Sequence, residues 1–415
     1  GGGNVQLFIG AAGEVRLQHW QGGDGVWNAA NEKWLNQGGE ILVAWAGHHA
    51  VFKNAPGGFD GGTIAVEGTQ SFKGLQFVDS GYRLAGTGTL SIDGSERADG
   101  NAEIRVLAGE RAEIAAVIAG AGGLTKTEGG TLVLQGNNSY RGGTTVNGGT
   151  VSVSADANLG DAAGGIALDG GALQNSATFA TNRAIALGAG GGTLQTGGAL
   201  TVSGVISGGG ALTKAGAGIL TLTNANGYTG GTTVSAGILN AAVTGALGSG
   251  PVNVLGGGRL RFTNNASAES LDIALASAGM GFDDDASAGT ATIVNTQSGI
   301  NFSGTASAGS AQIINNGGGT SFNGRSSGGN APVIARREGT VDFYQNATAG
   351  DATIMTTAVT GPNKSVVRFH GNSDAGNATF VNAAGGQVDI SDLTASGVAI
   401  GSLSGDGAVY LGSKS

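Results

Sequence analysis

Residues 302–313 read Phe302-Ser303-Gly304-Thr305-Ala306-Ser307-Ala308-Gly309-Ser310-Ala311-Gln312-Ile313. An aromatic residue opens the stretch, a turn of small residues fills it, and an aliphatic residue closes it. The unit recurs. Phe282, Phe302, Phe322, Phe343 and Phe369 open five copies, and Ile293, Ile313, Val333, Ile354 and Phe380 close them. The turns between include Ala286-Ser287-Ala288-Gly289, Ala347-Thr348-Ala349-Gly350 and Ser373-Asp374-Ala375-Gly376. The step from opening to closing residue is the same in every copy. The return is not. It is short from Ile293 to Phe302, and longest from Ile354 to Phe369. One side has fixed length and the other absorbs insertions. A chain wound into stacked coils gives this pattern, with a regularly packed side and a side that carries loops.

The middle of the chain repeats on the same scale. Gly followed by a Thr-Leu-like pair recurs from Gly130-Thr131-Leu132, through Gly149-Thr150-Val151 and Gly192-Thr193-Leu194, to Gly258-Arg259-Leu260. A longer repeat lies over it. Residues 120–160 align without gaps on 208–248, with 18 of 41 positions identical. The segments between the Gly pairs, such as Thr131-Leu132-Val133-Leu134 and Thr150-Val151-Ser152-Val153, are short and β-branched, and they read as strands. Strands of this length bury no face alone. Each must pair in parallel with the strand about 20 residues later. Gly, Asn and Ser mark the corners, where positive φ is needed. The expected fold is all-β, a right-handed parallel β-helix (β-solenoid) of about 20-residue rungs, its hand taken from the crossover rule. Dividing the chain by its period predicts about 19 rungs. Residues 61–415 read as one continuous β-helix, with one repeat series over 120–260 and the Phe series over 280–383. Residues 1–60 read as an N-terminal cap and first rungs. All four Trp lie between Trp20 and Trp45, and aromatic bulk covers the end of a solenoid.

Composition excludes other classes. Gly supplies 84 of 415 residues, but with 4 Pro and no strict Gly-X-Y period this is not collagen. A disulfide scaffold needs Cys, and there is none. Forty per cent hydrophobic residues is too many for a disordered chain. No apolar run reaches the roughly 18 residues of a membrane helix. The net charge is −9, with no basic stripe for nucleic acid. The absence of Cys suits a chain that crosses an oxidising compartment unfolded. The start, Gly1-Gly2-Gly3-Asn4, reads as that of a mature or excised fragment.

Residues 122–151, Gly-Gly-Leu-Thr-Lys…Gly-Gly-Thr-Leu-Val-Leu…Asn-Ser-Tyr-Arg-Gly-Gly-Thr-Thr-Val…Gly-Gly-Thr-Val, resemble the autotransporter-associated β-strand repeat, and a second copy begins at Ala211. The opening Trp20-Gln-Gly-Gly-Asp-Gly-Val-Trp27-Asn28, then Trp34-Leu35 and Ala50-Val51-Phe52, is similar to the start of such passenger domains. The resemblance implies a type V secreted passenger of a Gram-negative bacterium, exported across the outer membrane to the cell surface by a C-terminal translocator barrel. It also implies an adhesin or self-association factor for aggregation and biofilm. Its partners would be itself, rod to rod, or a host surface protein or glycan. The alternatives are a passive stalk presenting another domain, and a polysaccharide-binding or polysaccharide-degrading β-helix protein.

Catalytic signatures are missing. There is no Gly-Asp-Ser and no Gly-x-Ser-x-Gly elbow that follows a strand and precedes a helix, and the expectation is a non-enzyme with no cofactor and no metal. His48 and His49 are adjacent, so a strand would point them to opposite faces. Asp283-Asp284-Asp285 is the densest acidic run, but the matching turns on the next rungs are not acidic, and it reads as a solvated corner. A degrading enzyme would need two or three carboxylates converging on adjacent rungs. The candidate binding loop is the longest insertion, Thr356 to Val366, with Thr356, Thr357, Thr360, Asn363 and Lys364 as its polar residues. Asn295, Asn315 and Asn382 lie two residues past the ladder aliphatics. Facing inward they would stack along the axis, and facing outward they could pair with another rod.

Overall fold

The computed structural model describes residues 17–54, 60–357 and 364–414. Among these there is no α-helix, one 3-10 turn at Asp156–Leu159, and a succession of strands two to five residues long. The strands stack as parallel coils into a β-solenoid of about 17 turns. The difference from 19 lies partly near the N-terminus. There His49 pairs with Gly74, and Gly74 with Glu103, so these coils are longer than those of the Phe series, where Phe282 pairs with Phe302. The chain divides into two compact units, residues 1–198 and 199–415.

In the first unit, one parallel sheet runs from Leu17–Trp20 through His49–Phe52, Gly74–Phe77, Ala102–Val106, Leu124–Thr127, Thr144–Val146 and Ile166–Leu168 to Ile185–Leu187. A second runs from Gly25–Trp27 through Gly62–Val66, Tyr82–Ala85, Arg111–Ile114, Thr131–Leu134, Thr150–Val153 and Ala172–Asn175 to Gly192–Thr196. A third joins Thr69–Phe72, Thr89–Ile92 and Val117–Ala119. Inward residues alternate with outward ones, as in Ile64 and Val66 or Ile104 and Val106, all fully buried. At the N-terminal side Trp34–Leu35 lies antiparallel to Leu17–Trp20 and to Leu42–Val43. Trp20, Trp27 and Trp34 are buried. With Trp45 they form edge-on and tilted pairs at 4.5–5.2 Å, a geometry that aromatic quadrupoles favour.

In the second unit, two sheets carry the coils. The Phe-bearing sheet pairs Gly258–Phe262, Gly279–Phe282, Gly299–Phe302, Gly319–Phe322, Thr340–Phe343 and Val366–Phe369 in register. The opposing sheet pairs Asp272–Ala276, Thr292–Thr296, Gln312–Asn316, Pro332–Arg336, Thr353–Thr356 and Thr379–Asn382. The third side shrinks to single bridges, Ser267 to Ser287 to Ser307 to Ser327 to Thr348 to Asp374. These are the small-residue turns of the sequence repeat. In each, the Ser or Thr hydroxyl, or the Asp374 carboxylate, accepts a bond from the amide two residues on, as Ser307 Oγ does from Gly309 N at 3.0 Å. Six Phe rings, Phe262 to Phe369, stack at 4.7–5.0 Å and within 9° of parallel. Phe380 belongs to the other sheet and meets Phe369 edge-on at 6.0 Å.

Candidate functional site

The insertion proposed for binding divides into core and boundary. Thr356 is not a loop residue. It ends the strand Thr353–Thr356, is buried, and donates its hydroxyl to Asn382 Oδ1 at 2.9 Å. Thr357 continues the ladder, its amide bonded to Ala335 O at 3.0 Å. Lys364 is half-buried where the chain resumes. Thr360 and Asn363 lie outside the described residues. The three described side chains, Thr356, Thr357 and Lys364, are not gathered around a ligand position.

A set of polar side chains points into the solenoid. Asn295 and Asn315 are fully buried, and Asn295 Nδ2 donates to Asn315 Oδ1 at 2.8 Å. Asn315 Nδ2 continues to Thr340 O at 3.0 Å, and Asn382 Nδ2 to Ala408 O at 2.9 Å. Ala335 occupies the intervening register position and interrupts the column. The inward reading of these amides holds, so they cannot pair with a neighbouring molecule.

Sequence reasoning missed a second inward set. Lys126 is buried and donates to the carbonyls of Thr127 at 2.7 Å, Glu128 at 2.8 Å and Gly148 at 3.3 Å. Lys214, its counterpart in the second repeat, does the same to Ala215, Gly216 and Ala236 at 2.8–2.9 Å. Burial lowers both ammonium groups to about 8. Tyr140 and Tyr228 are also equivalent, each 2.7 Å from the hydroxyl of the Thr four residues on, and burial raises both phenols. Arg183 is buried beside Asp156 at 2.9 Å and donates to Gly160 and Gly164 carbonyls. All of these tie one coil to the next or close a corner.

Other charged groups form ion pairs near the surface. His49 is buried. Its Nε2 lies 2.8 Å from Glu96, which also binds Lys73 at 2.7 Å. Burial would raise the Glu96 carboxyl, but the hydrogen bonds and charges of Lys73 and His49 hold it below its usual value. Asp283 takes Arg261 at 2.6 Å and Ser303 at 2.6 Å, Asp284 takes the Asn264 amide at 3.0 Å, and Asp285 takes the Thr305 hydroxyl. Each carboxylate of that run is used along the axis. No group of three His, Asp or Glu side chains among the described residues is placed to hold a metal ion.

One cluster does gather carboxylates on adjacent coils. Asp342, Arg368 and Asp389 share a register column. Arg368 meets Asp342 at 3.1 Å, and His370, stacked on Tyr344 at 4.5 Å, meets Asp392 at 2.8 Å. Burial would raise Asp389, but Ser391, and then the charges of Arg368 and His370, hold it low. A glycosidase needs a carboxyl held high as an acid, opposite a second one. Here Asp342 is paired with Arg368, and the Asp389 carboxyl is held low, not high.

Short parallel coils and cores of stacked ladders define a β-solenoid. Two segments, 124–153 and 212–241, match the passenger-associated-transport-repeat family. They contain the paired Lys and Tyr devices just described. The chain is 36% identical over 258 residues to an adhesin autotransporter, BmaC, of Brucella suis biovar 1 (strain 1330). That match covers 58% of this chain and 7% of the relative's length. No solved structure matches. The chain thus carries two passenger-associated repeats and is similar to part of an autotransporter adhesin. Its address is the surface of a Gram-negative bacterium, reached by export across the outer membrane.

Proposed function

We propose that this segment is a non-enzymatic adhesive passenger, acting through the extended outer faces of its solenoid on like molecules or on a host surface protein or glycan. The observation that carries the reading is where the polar groups go. Several chemically capable side chains, Lys126, Lys214, Arg183, Asn295 and Asn315 among them, are buried along the axis, and what faces outward repeats from coil to coil. Such a surface binds by area and multiplicity. Similarity to a relative named as an adhesin supports it. A C-terminal translocator in the full-length protein is its expected covalent partner. We also read residues 1–60 as the cap, a role that suits the Trp cluster.

The test uses beads coated with the chain, mixed with themselves, with bare beads and with host-cell monolayers. Clumping confined to coated beads supports self-association, as used for aggregation and biofilm. Adherence only to cells supports a host ligand. Neither result removes adhesion and leaves a stalk for another domain.

A further inference from the structure

The second unit has two unusual outer faces, and they fit each other. On the sheet opposite the Phe ladder, Ala274, Val294, Ile314, Ile334, Met355 and Val381 occupy one register column. Their chain neighbours, such as Ile293 and Asn295, are fully buried, so strand alternation turns this column outward. Its members are at least partly exposed. A solvent-facing row is normally polar. This one is a ridge of branched and flexible apolar side chains over successive coils.

The outer face of the Phe sheet is the converse. Gly279, Gly299 and Gly319 share a column, with Gly281, Asn301 and Ser321 beside them. The missing side chains leave a trough of about 310 Å³ that ends at Arg259. That volume is roughly ten times the ~30 Å³ share of one water, room for a few apolar side chains. Ridge and trough have the same pitch because the same coils build them.

Charge sets the direction. Arg259 ends the trough and Asp272 flanks the start of the ridge. Both are exposed, and neither is in an ion pair among the described residues. With Val294, Ile314 and Ile334 over Gly279, Gly299 and Gly319 of a second copy, and both chains running the same way, Asp272 falls on the coil of Arg259. Reversing one copy moves Asp272 away from Arg259 to the coil of Asp342, whose carboxylate is buried and already paired with Arg368, so only the parallel arrangement forms the opposite-charge pair.

We propose that the ridge of one copy seats in the trough of a second copy, side by side and parallel, as a head-to-tail contact that each further copy can extend. It rests on the self-association reading and names its surface. Four coils of five-residue strands bury roughly 300 Å² per partner at strand dimensions, well short of the ~800 Å² of a stable pair. The contact is therefore weak singly. It acts among copies crowded on one cell surface, where local concentration supplies the remainder.

The chain has no Cys, so engineered thiols report the contact directly. Val294→Cys protein is mixed under mild oxidant with Gly279→Cys or Gly319→Cys protein, and Ile314→Cys with Gly299→Cys. Thr290→Cys, on the small-residue side, serves as the control partner. A Cβ at Gly299 meets nothing within 4 Å, so that variant folds without strain. Parallel seating predicts the Ile314–Gly299 and Val294–Gly279 crosslinks, the latter several-fold above Val294–Gly319. Ile314→Asp in one partner or Gly299→Trp in the other should abolish crosslinking at the Val294–Gly279 pair. Crosslinks no better than with the control, or a preference for Val294–Gly319, overturn the proposal. Should unaltered beads still clump while the crosslinks fail, self-association stands and only this interface is removed. Absence of both overturns both.

Discussion

Lys126 and Lys214 show how a charged residue becomes part of a solenoid core. Each spends all three ammonium donors on corner carbonyls. Their ionisation gives a pH signature. Both sit at about 8 when folded, against 10.5 as the ordinary value. Between those values the unfolded chain holds a proton that the folded chain releases, so stability rises with pH across that window. Urea titrations at pH 7 and pH 10 should show the rise, and the double Lys→Met variant should lose it. At pH 7 each Lys→Met change should cost about 1–3 kcal/mol, because it strands buried carbonyls. The signal for this burial was in the sequence. Leu124 and Lys126 share strand parity, so an inward Leu carries the Lys inward with it. What obscured it is the usual exposure of Lys.

Backbone conformation at the corners is equally local. Gly309 has φ +59°, and an added Cβ would lie 2.7 Å from Gly289 O. Glu269 occupies the matching corner of an earlier coil at φ +49°. Gly309→Ala should destabilise by about 1–3 kcal/mol, whereas Glu269→Gly should stabilise by about 1 kcal/mol through relief of left-handed strain. Thermal melts of the two variants, shifting in opposite directions, check both.

At the scale of the element, the Phe ladder was legible because the step from each Phe to its closing residue is the same in every copy. Its first member, Phe262, was not. Glu269 stands where later turns have Gly, so the turn after Phe262 lacks the repeat's signature while keeping its geometry. Phe322 has stacked rings 4.8 Å away on both sides, but Phe369 has one stacked neighbour and one edge-on contact. Phe322→Ala should cost about 3–5 kcal/mol, and Phe369→Ala less, as denaturant midpoints would show. The Asn column was legible in position, and its inward direction follows from the two-residue step past an inward Ile. The outward ridge was hidden in doublets such as Ile313-Ile314, where attention goes to the inward member. The candidate loop was harder still. Insertion length locates a loop but says nothing about which of its residues remain in the flanking strand, and Thr356 does.

At the scale of the whole molecule, function follows from repetition. On the adhesive reading proposed above, a shallow surface gives each copy little binding energy, and the gain comes from many copies engaging together. Two consequences separate this from binding at a single deep site. Adhesion of coated beads should rise much more steeply than linearly with coating density, because paired contacts multiply once neighbours lie within reach. Soluble chain should inhibit poorly even in large excess, since each free molecule competes with one weak contact and not with the array. Flow-detachment measurements at graded coating densities, with and without soluble competitor, read both. A linear density dependence with efficient competition would place binding in one compact site and remove the distributed mechanism. Steep dependence with weak competition is what a surface of repeated coils demands, whichever partner it meets.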